Sequence, residues 1–199
     1  MSGQGPRVFG RRSALIALVL SAVFGLQASA ARADLIDLSP CDASGLGQPF
    51  LPWADVAFYE LLPAGDFEQS GWALNGGAER GPGSEPYAAT GRAGNRSLAL
   101  PAGSSAQSPL TCVDATYPTV RFFIAGTGAV AVSLVHGDIT IPAGVAVAGS
   151  TWLPSPVMIT TAPILAVASG GTAQVSVRLT AVTGQPRVDD VFIDPWNRG

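Results

Sequence analysis

This sequence has no lysine, one histidine, two cysteines and few aromatic residues, and each scarcity removes a class of chemistry. Without lysine, the eleven arginines are the whole cationic complement, a compositional bias rather than a functional signal. Beyond residue 33 no basic patch forms, and only Arg92 and Arg96 are closely spaced, which argues against nucleic acid as a partner. The lone histidine, His136, ends an expected strand, so a histidine-dependent nucleophile system rests on one residue, and the usual zinc set is not available. No G-x-S-x-G elbow occurs. Two carboxylates such as Glu60 and Asp138 could form a glycosidase pair, but nothing in the pattern selects them. The chain is therefore not expected to be an enzyme.

Long apolar runs are also missing. The uncharged apolar run near the N-terminus, residues 14–26, has 13 residues, short of the roughly 20 that span a bilayer as a helix. Arg7, Arg11 and Arg12 precede it, and small residues ending in Ala31-Arg32-Ala33 follow, the pattern of a secretory signal peptide over residues 1–33. Cleavage is expected before Asp34, with Ala28-Ser29-Ala30 as the alternative cut; Arg11-Arg12 leaves a twin-arginine route open beside the general one. The expected product is secreted, monomeric and not inserted in a membrane. It keeps seven arginines against all fourteen acids, a net charge of −7. Cys41 and Cys112 enter an oxidising space and are expected to pair.

What is present in quantity is glycine and proline, 24 and 16 residues, which punctuate short β-branched runs. Residues 34–56 read as an irregular N-terminal segment whose Phe50-Leu51-Pro52-Trp53 packs against the rest; residues 57–199 read as the β domain. Strands are expected at 57–62, 72–74, 97–100, 104–112, 119–125, 129–135, 139–148, 152–160 and 172–180, with a mobile polar loop over 81–94. Val120, Phe122 and Ile124 share one face, as do Val130, Val132 and Leu134, and as do Ala173, Val175, Val177 and Leu179. In the closing run 187–195, alternation places Asp189 with Val191 and Ile193, and Asp190 with Val188 and Phe192. No window of ten or more residues beyond the signal shows capped helical periodicity. The fold class is all-β: a two-sheet antiparallel β-sandwich, a jelly roll, with one disulfide.

Gly65-Asp66-Phe67-Glu68, Gly71-Trp72, the G-x-x-S-L step at Gly94–Leu98 and Val188-Asp189-Asp190-Val191 together resemble the jelly-roll carbohydrate-binding modules of the galactose-binding-like superfamily. The chain also looks like a group of secreted bacterial proteins of that architecture, in its C…PW…Y-x-L-x-P-x-G-D-F-E opening and its D-D-V-x-x-D-P ending. The resemblance spans about residues 61–194 and implies a structural calcium ion held by Glu68 and Asp189, with Asp190 and Asp66 as further ligands and carbonyls near 95–97 completing the shell. Calcium takes six to eight oxygens, and carboxylates from distant segments would pin both ends of the domain. The other reading is that these acids bond local backbone or pair with Arg187 or Arg96.

Function divides three ways. A noncatalytic module would bind extracellular polysaccharide on aromatic rings, with Tyr87, Tyr117, Trp152 and Trp196 as platforms and Arg121 or Arg178 as donors. Trp53 and Trp72 are assigned to the core, and Phe123 fits either role. With 15 aromatics among 199 residues, the supply for a platform is thin. A structural or interaction protein of the cell surface, with a protein partner and no small ligand, is the alternative. A small glycan-active enzyme comes third.

Overall fold

The computed structural model describes Cys41 and residues 45–195, so the expected signal peptide and Trp196 lie outside the described residues. A short 3-10 turn, Leu51–Trp53, precedes β1 (Glu60–Leu61), β2 (Ala73–Asn75), β3 (Glu79–Pro82), β4 (Arg96–Ala99), β5 (Ser105–Gln107) and β6 (Thr111–Asp114). Then come β7 (Thr119–His136), β8 (Ile139–Val147), β9 (Leu153–Pro154), β10 (Met158–Ile159), α1 (Ala162–Ala168) and β11 (Thr172–Asp194).

Two long strands carry the architecture. β7 and β11 pair antiparallel from Ser176↔Val135 to Asp194↔Thr119, and every other layer member attaches to them directly or through a neighbour. In one layer, the first part of β7 and the last part of β11 are flanked by β9 and β10 on one side, and by β1, β4 and β3 on the other. In the other layer, the second part of β7 and the first part of β11 are flanked by β8, and by β5, β2 and β6. The inward faces of both layers meet in one core that holds Val120, Phe122, Ile124, Val130, Val132, Leu134, Val175, Val177 and Leu179. The expected facial alternation of these residues holds, and the sandwich is the expected all-β fold.

The expected break between 119–125 and 129–135 is not a turn. Gly126, Gly128 and Gly184 take positive φ of 102°, 90° and 71° and let two paired strands bend together from one layer into the other. A Cβ on Gly128 would lie 1.9 Å from the Thr183 carbonyl oxygen, so only glycine allows this approach. The expected strands at 172–180 and 187–195 likewise fuse into β11. The first expected strand shrinks to β1, because residues 45–59 leave the ladder and fold over the outer face of the first layer, joined by the Gly47↔Tyr59 bridge.

That outer face explains Phe123. Phe50, Tyr59, Phe123 and Phe192 form a second, smaller apolar cluster there, with Trp53 and Trp152 packed at its margin. Phe50 stacks on Phe123 with ring centroids 5.2 Å apart and meets Phe192 edge-on at 5.5 Å. Full burial of such a ring contributes about 1.5–3 kcal/mol, which holds the segment down. Trp72 lies in the main core as expected, its indole N–H donating to the Pro63 carbonyl. Cys41 and Cys112 are bonded, with Cα atoms 5.7 Å apart and a sequence separation of 71. Closing that interval constrains the unfolded chain by about 4 kcal/mol on the loop-entropy account. The short α1 begins with proline in its first turn and turns Ala162 and Ala166 inward; seven residues are too few to show a helical period in sequence.

Candidate functional site

Two polar regions lie on the first layer. One is an acidic corner built where residues 66–68 and the loop after β3 meet β11. Arg80 clamps residues 67–68 by donating to the Phe67 and Glu68 carbonyls at 2.8 and 2.9 Å. Glu68 Oε1 accepts the Asn95 and Arg96 amides at 2.6 and 2.8 Å, so the backbone near 95–97 offers N–H groups to this acid rather than the expected carbonyls. Asp66 accepts from the Glu68 amide and from Arg92 at 3.2 Å. Asp189 Oδ2 accepts the Ser84 hydroxyl at 2.6 Å and the Glu85 amide at 2.9 Å, and its Oδ1 takes the Asp190 amide.

The facial assignment of the two adjacent aspartates needs correction. A bulge between Asp189 and Phe192, with Asp190 at φ 47°, inserts one residue and shifts the alternation. Val188, Val191 and Ile193 face the core, while Asp189 pairs across from Phe123 on the outer side; both aspartates are buried. Burial pushes the Asp189 carboxyl up to about 7, against the donors around it, and the Glu85 charge adds to the rise. Asp190 is raised further, first by burial and then by the charges of Asp189, Glu85 and Asp66. Neither Arg187 nor the Arg96 side chain answers these charges: Arg187 donates to the Pro82 and Gly83 carbonyls and to Ser97.

The donor chemistry of Asp66, Glu68, Asp189 and Asp190 suits calcium, being all oxygen with surplus negative charge. Their spacing does not: among the described residues no three acidic, cysteine or histidine side chains are placed to hold a metal ion. The sequence reading missed Glu85, which is buried and ties its own loop by accepting the Tyr87 and Ala89 amides. The expected mobile loop at 81–94 is therefore anchored, beginning inside β3 and pinned by Glu85. An acid just before Pro86, in a turn whose later amides need acceptors, was the available signal.

The second region is an open groove of about 740 Å³ along residues 53–59, lined by Trp53, Asp55, Tyr59, Thr119, Arg121 and Asp194 among others. Arg121 is buried, not a free donor: Nη1 pairs with Asp55 Oδ2, Nε and Nη2 bond the Ser155 carbonyl at 3.1 and 2.9 Å, and the guanidinium sits 4.3 Å over the Phe50 ring. Tyr59 donates its hydroxyl to Asp55 at 2.7 Å. Burial pushes Asp55 up, but the bonds from Tyr59, Ala57 and Arg121 outweigh it and hold the carboxyl below its ordinary value. Tyr59 is raised by burial and by Asp55 beside it. Thr119 donates to Asp194 Oδ2 at 3.2 Å, while Asp194 Oδ1 is buried with no hydrogen-bond partner among the described residues. Burial raises Asp194 to about 6, against the Thr119 bond and with help from the Asp55 charge.

Aromatic surface adjoins the groove. Trp53 is half-buried and meets Tyr87 edge-on at 4.8 Å; Tyr87 is exposed and donates its hydroxyl to the Trp152 carbonyl at 2.6 Å. Arg187 lies 5.7 Å over the Trp152 ring. Tyr87, Arg121 and Trp152 therefore share one face, although Trp53, assigned to the core, lines the groove while Tyr87 and Trp152 do not. Tyr117 is corrected outright: it is fully buried in the main core with its hydroxyl on Glu60, because it turns the chain into β7 from inside. Arg178 sits in the other layer, forked onto Gln107. Asp55, Tyr59 and Asp194 were not selected from the sequence; Asp194 stood in the quoted D-D-V-x-x-D-P ending, but the burial of its unpartnered oxygen is a property of the fold.

The sequence matches no family profile and no curated relative. Solved structures similar to this chain are mainly carbohydrate-binding modules of jelly-roll fold. They include the C-terminal family 6 module of the laminarinase LamC from Zobellia galactanivorans, 16% identical over 61% of this chain and 90% of that one, TM-score 0.42. Another is the module CsCBM6-3 from Clostridium stercorarium in complex with cellobiose, 14% identical over 63% of this chain and 87% of that one, TM-score 0.41. A third likeness is to the enzymatically active domain of bacteriophage CBA120 tailspike protein 4, 14% identical with a TM-score of 0.47. It takes in 66% of this chain but only 21% of the tailspike.

Proposed function

We propose that this chain is a secreted, noncatalytic β-sandwich module that binds extracellular carbohydrate at the groove beside Trp53. The observation that carries the reading is the adjacency of surface aromatic rings, Trp53 and Tyr87, to an open groove holding fixed hydrogen-bonding groups, Asp55, Arg121, Thr119 and Asp194. Sugar units offer an apolar ring face and a rim of hydroxyls, and such a surface matches both. The noncatalytic part of the proposal is supported by His136, which bonds the Gln174 backbone carbonyl on the other layer, far in the fold from the groove acids. The secreted part is supported by the basic, apolar and small-residue sequence of residues 1–33.

Titration calorimetry of the domain from Asp34 onward against soluble polysaccharides tests the reading. At least one glycan is expected to bind, and Trp53→Ala to weaken it about tenfold or more, the loss of one stacked ring, about 1.4 kcal/mol. Binding that survives Trp53→Ala unchanged would move the site elsewhere. Calcium enters the proposal only as a stabiliser of the acidic corner. As placed, no three of these acids converge, so Glu68, Asp189, Asp190 and Asp66 would have to leave their present partners and regroup around the cation. A calcium-dependent rise in the thermal midpoint would support it, and no rise at millimolar calcium would remove the ion.

A further inference from the structure

One side of the sandwich carries no charge. Residues 139–177 contain no Asp, Glu, Lys, Arg or His, in a chain that holds fourteen acids and eleven arginines. Eight of the thirteen exposed large apolar side chains among the described residues fall in that run. It builds β8, β9 and β10, which all attach to β7 on the side away from β11. A Cβ on Gly144 of β8 would lie 3.1 Å from Met158 Cγ of β10, so the edges of both layers stack on that side. The first layer's edge is short and broken by Pro154 and Pro156, as protected edges are. β8 has nine residues, no charged side chain and, among the described residues, no strand partner but β7.

The free edge of β8 has a definite pattern. Ala148 donates its amide to the Gly128 carbonyl, and the register runs on as Val147↔Ala129, Ala146↔Val130 and Val145↔Ala131. Antiparallel ladders alternate, so Ala146 turns its backbone N–H and C=O to β7 while Val145 and Val147 turn theirs to the open side. Their side chains are 55% and 75% exposed. Such an edge takes an extended strand. Two copies of β8 meeting about a two-fold axis at Ala146 place Val145 opposite Val147 of the second copy, and each valine then gives and accepts one N–H···O bond. Charge selects the copy over other strands. Away from this side the molecule is acidic, so two copies approach closely only through a face without charge, and a charged partner finds nothing on β8 to pair with.

We infer that the chain forms a two-fold dimer by antiparallel addition of β8 to β8, in place of the monomer expected from the sequence. Residues 139–159 give roughly 20 residues a side, the lower end of a standard interface, so the dimer is expected to dissociate in the micromolar range. The inference is independent of the carbohydrate reading, since neither Val145 nor Val147 lines the groove beside Trp53.

Sedimentation velocity of the protein as purified from cells, across the micromolar range, is the test. A monomer–dimer equilibrium is expected. Val145→Lys with Val147→Lys sets lysine against lysine across the axis and should raise the dissociation constant at least about tenfold. Val145→Lys with Val147→Glu sets each lysine against a glutamate of the second copy and should bring association back to within about threefold of the parent. Both variants change exposed side chains only and are expected to keep the parent's circular dichroism spectrum. A monomer at every concentration would overturn the inference. So would a dimer indifferent to the two lysines, or one lost as fully in the lysine–glutamate variant. Flotation with phosphatidylcholine vesicles covers the other occupant of an apolar edge: protein that stays monomeric, and floats only without the two lysines, would assign β8 to a lipid surface and end the dimer reading.

Discussion

Asp190 is the most costly residue in the acidic corner. It holds φ 47°, a conformation that asparagine tolerates better than aspartate, and its carboxyl faces Glu85 and Asp189, while among the described residues the only ion pair nearby is Arg92 with Asp66. Asp190→Asn removes a buried carboxyl that must take up a proton to fold at this pH, leaves Glu85 an N–H to accept and suits the backbone. In a chelating buffer at pH 8 it is expected to raise stability by about 1 kcal/mol, read as a higher urea midpoint with unchanged slope. It should also erase any calcium-dependent rise. A lower midpoint in chelator would mean that the Asp190 charge is answered by something other than protonation. Such detail was out of reach in the sequence because Asp189-Asp190 looks like simple alternation, and a bulge leaves no compositional mark there. Glu85 was hidden for a related reason: a buried acid in a polar loop is recognised only by which amides it caps.

At the scale of elements, the strand faces were legible and the connections were not. Periods such as Val130, Val132 and Leu134 survive because one face of each layer must be dry, and that constraint is written residue by residue. Glycines at 126, 128 and 184 read as turns because sequence shows that glycine is required and not which backbone approaches it. The corner they form is testable. Gly128→Ala places a methyl into the Thr183 carbonyl at φ 90° and is expected to cost about 3 kcal/mol or more, or to prevent folding. Gly137→Ala, also at positive φ but with open space around it, should cost only about 1 kcal/mol. Comparable urea midpoints for the two variants would mean that β7 and β11 do not need a glycine corner. The groove belongs to this scale too: it exists because residues 45–59 leave the ladder and lie across Phe123 and Phe192, an arrangement that the bulk of Phe50 and Trp53 suggested but whose placement it did not specify.

Across the whole molecule, the buried acids set how stability follows pH. Asp189 is raised to about 7, Asp190 higher and Asp194 to about 6, all by burial first, from an ordinary value of 3.8. A carboxyl with a raised folded value binds protons more tightly in the native state. Its contribution is therefore fully present below about 3.8 and is lost as pH rises through the folded value. Asp55 works the other way: held below 3.8 by Tyr59, Ala57 and Arg121, it stabilises above that pH and its contribution is lost as pH falls. The two trends place the expected maximum of stability near or just below pH 4, lower than the common range of about 5 to 8, with a steady decline toward pH 8 in chelator. Calcium seated in the acidic corner would depress the same carboxyls and flatten or reverse the slope. Thermal midpoints from pH 4 to 8, measured with chelator and with millimolar calcium, give the answer. The combined Asp190→Asn and Asp194→Asn variant should flatten the chelator curve by removing two of the three titrating groups. A midpoint that climbs from pH 5 to 8 in chelator would show that these carboxylates are charged and compensated in the native fold, and that the acidic corner is filled from within.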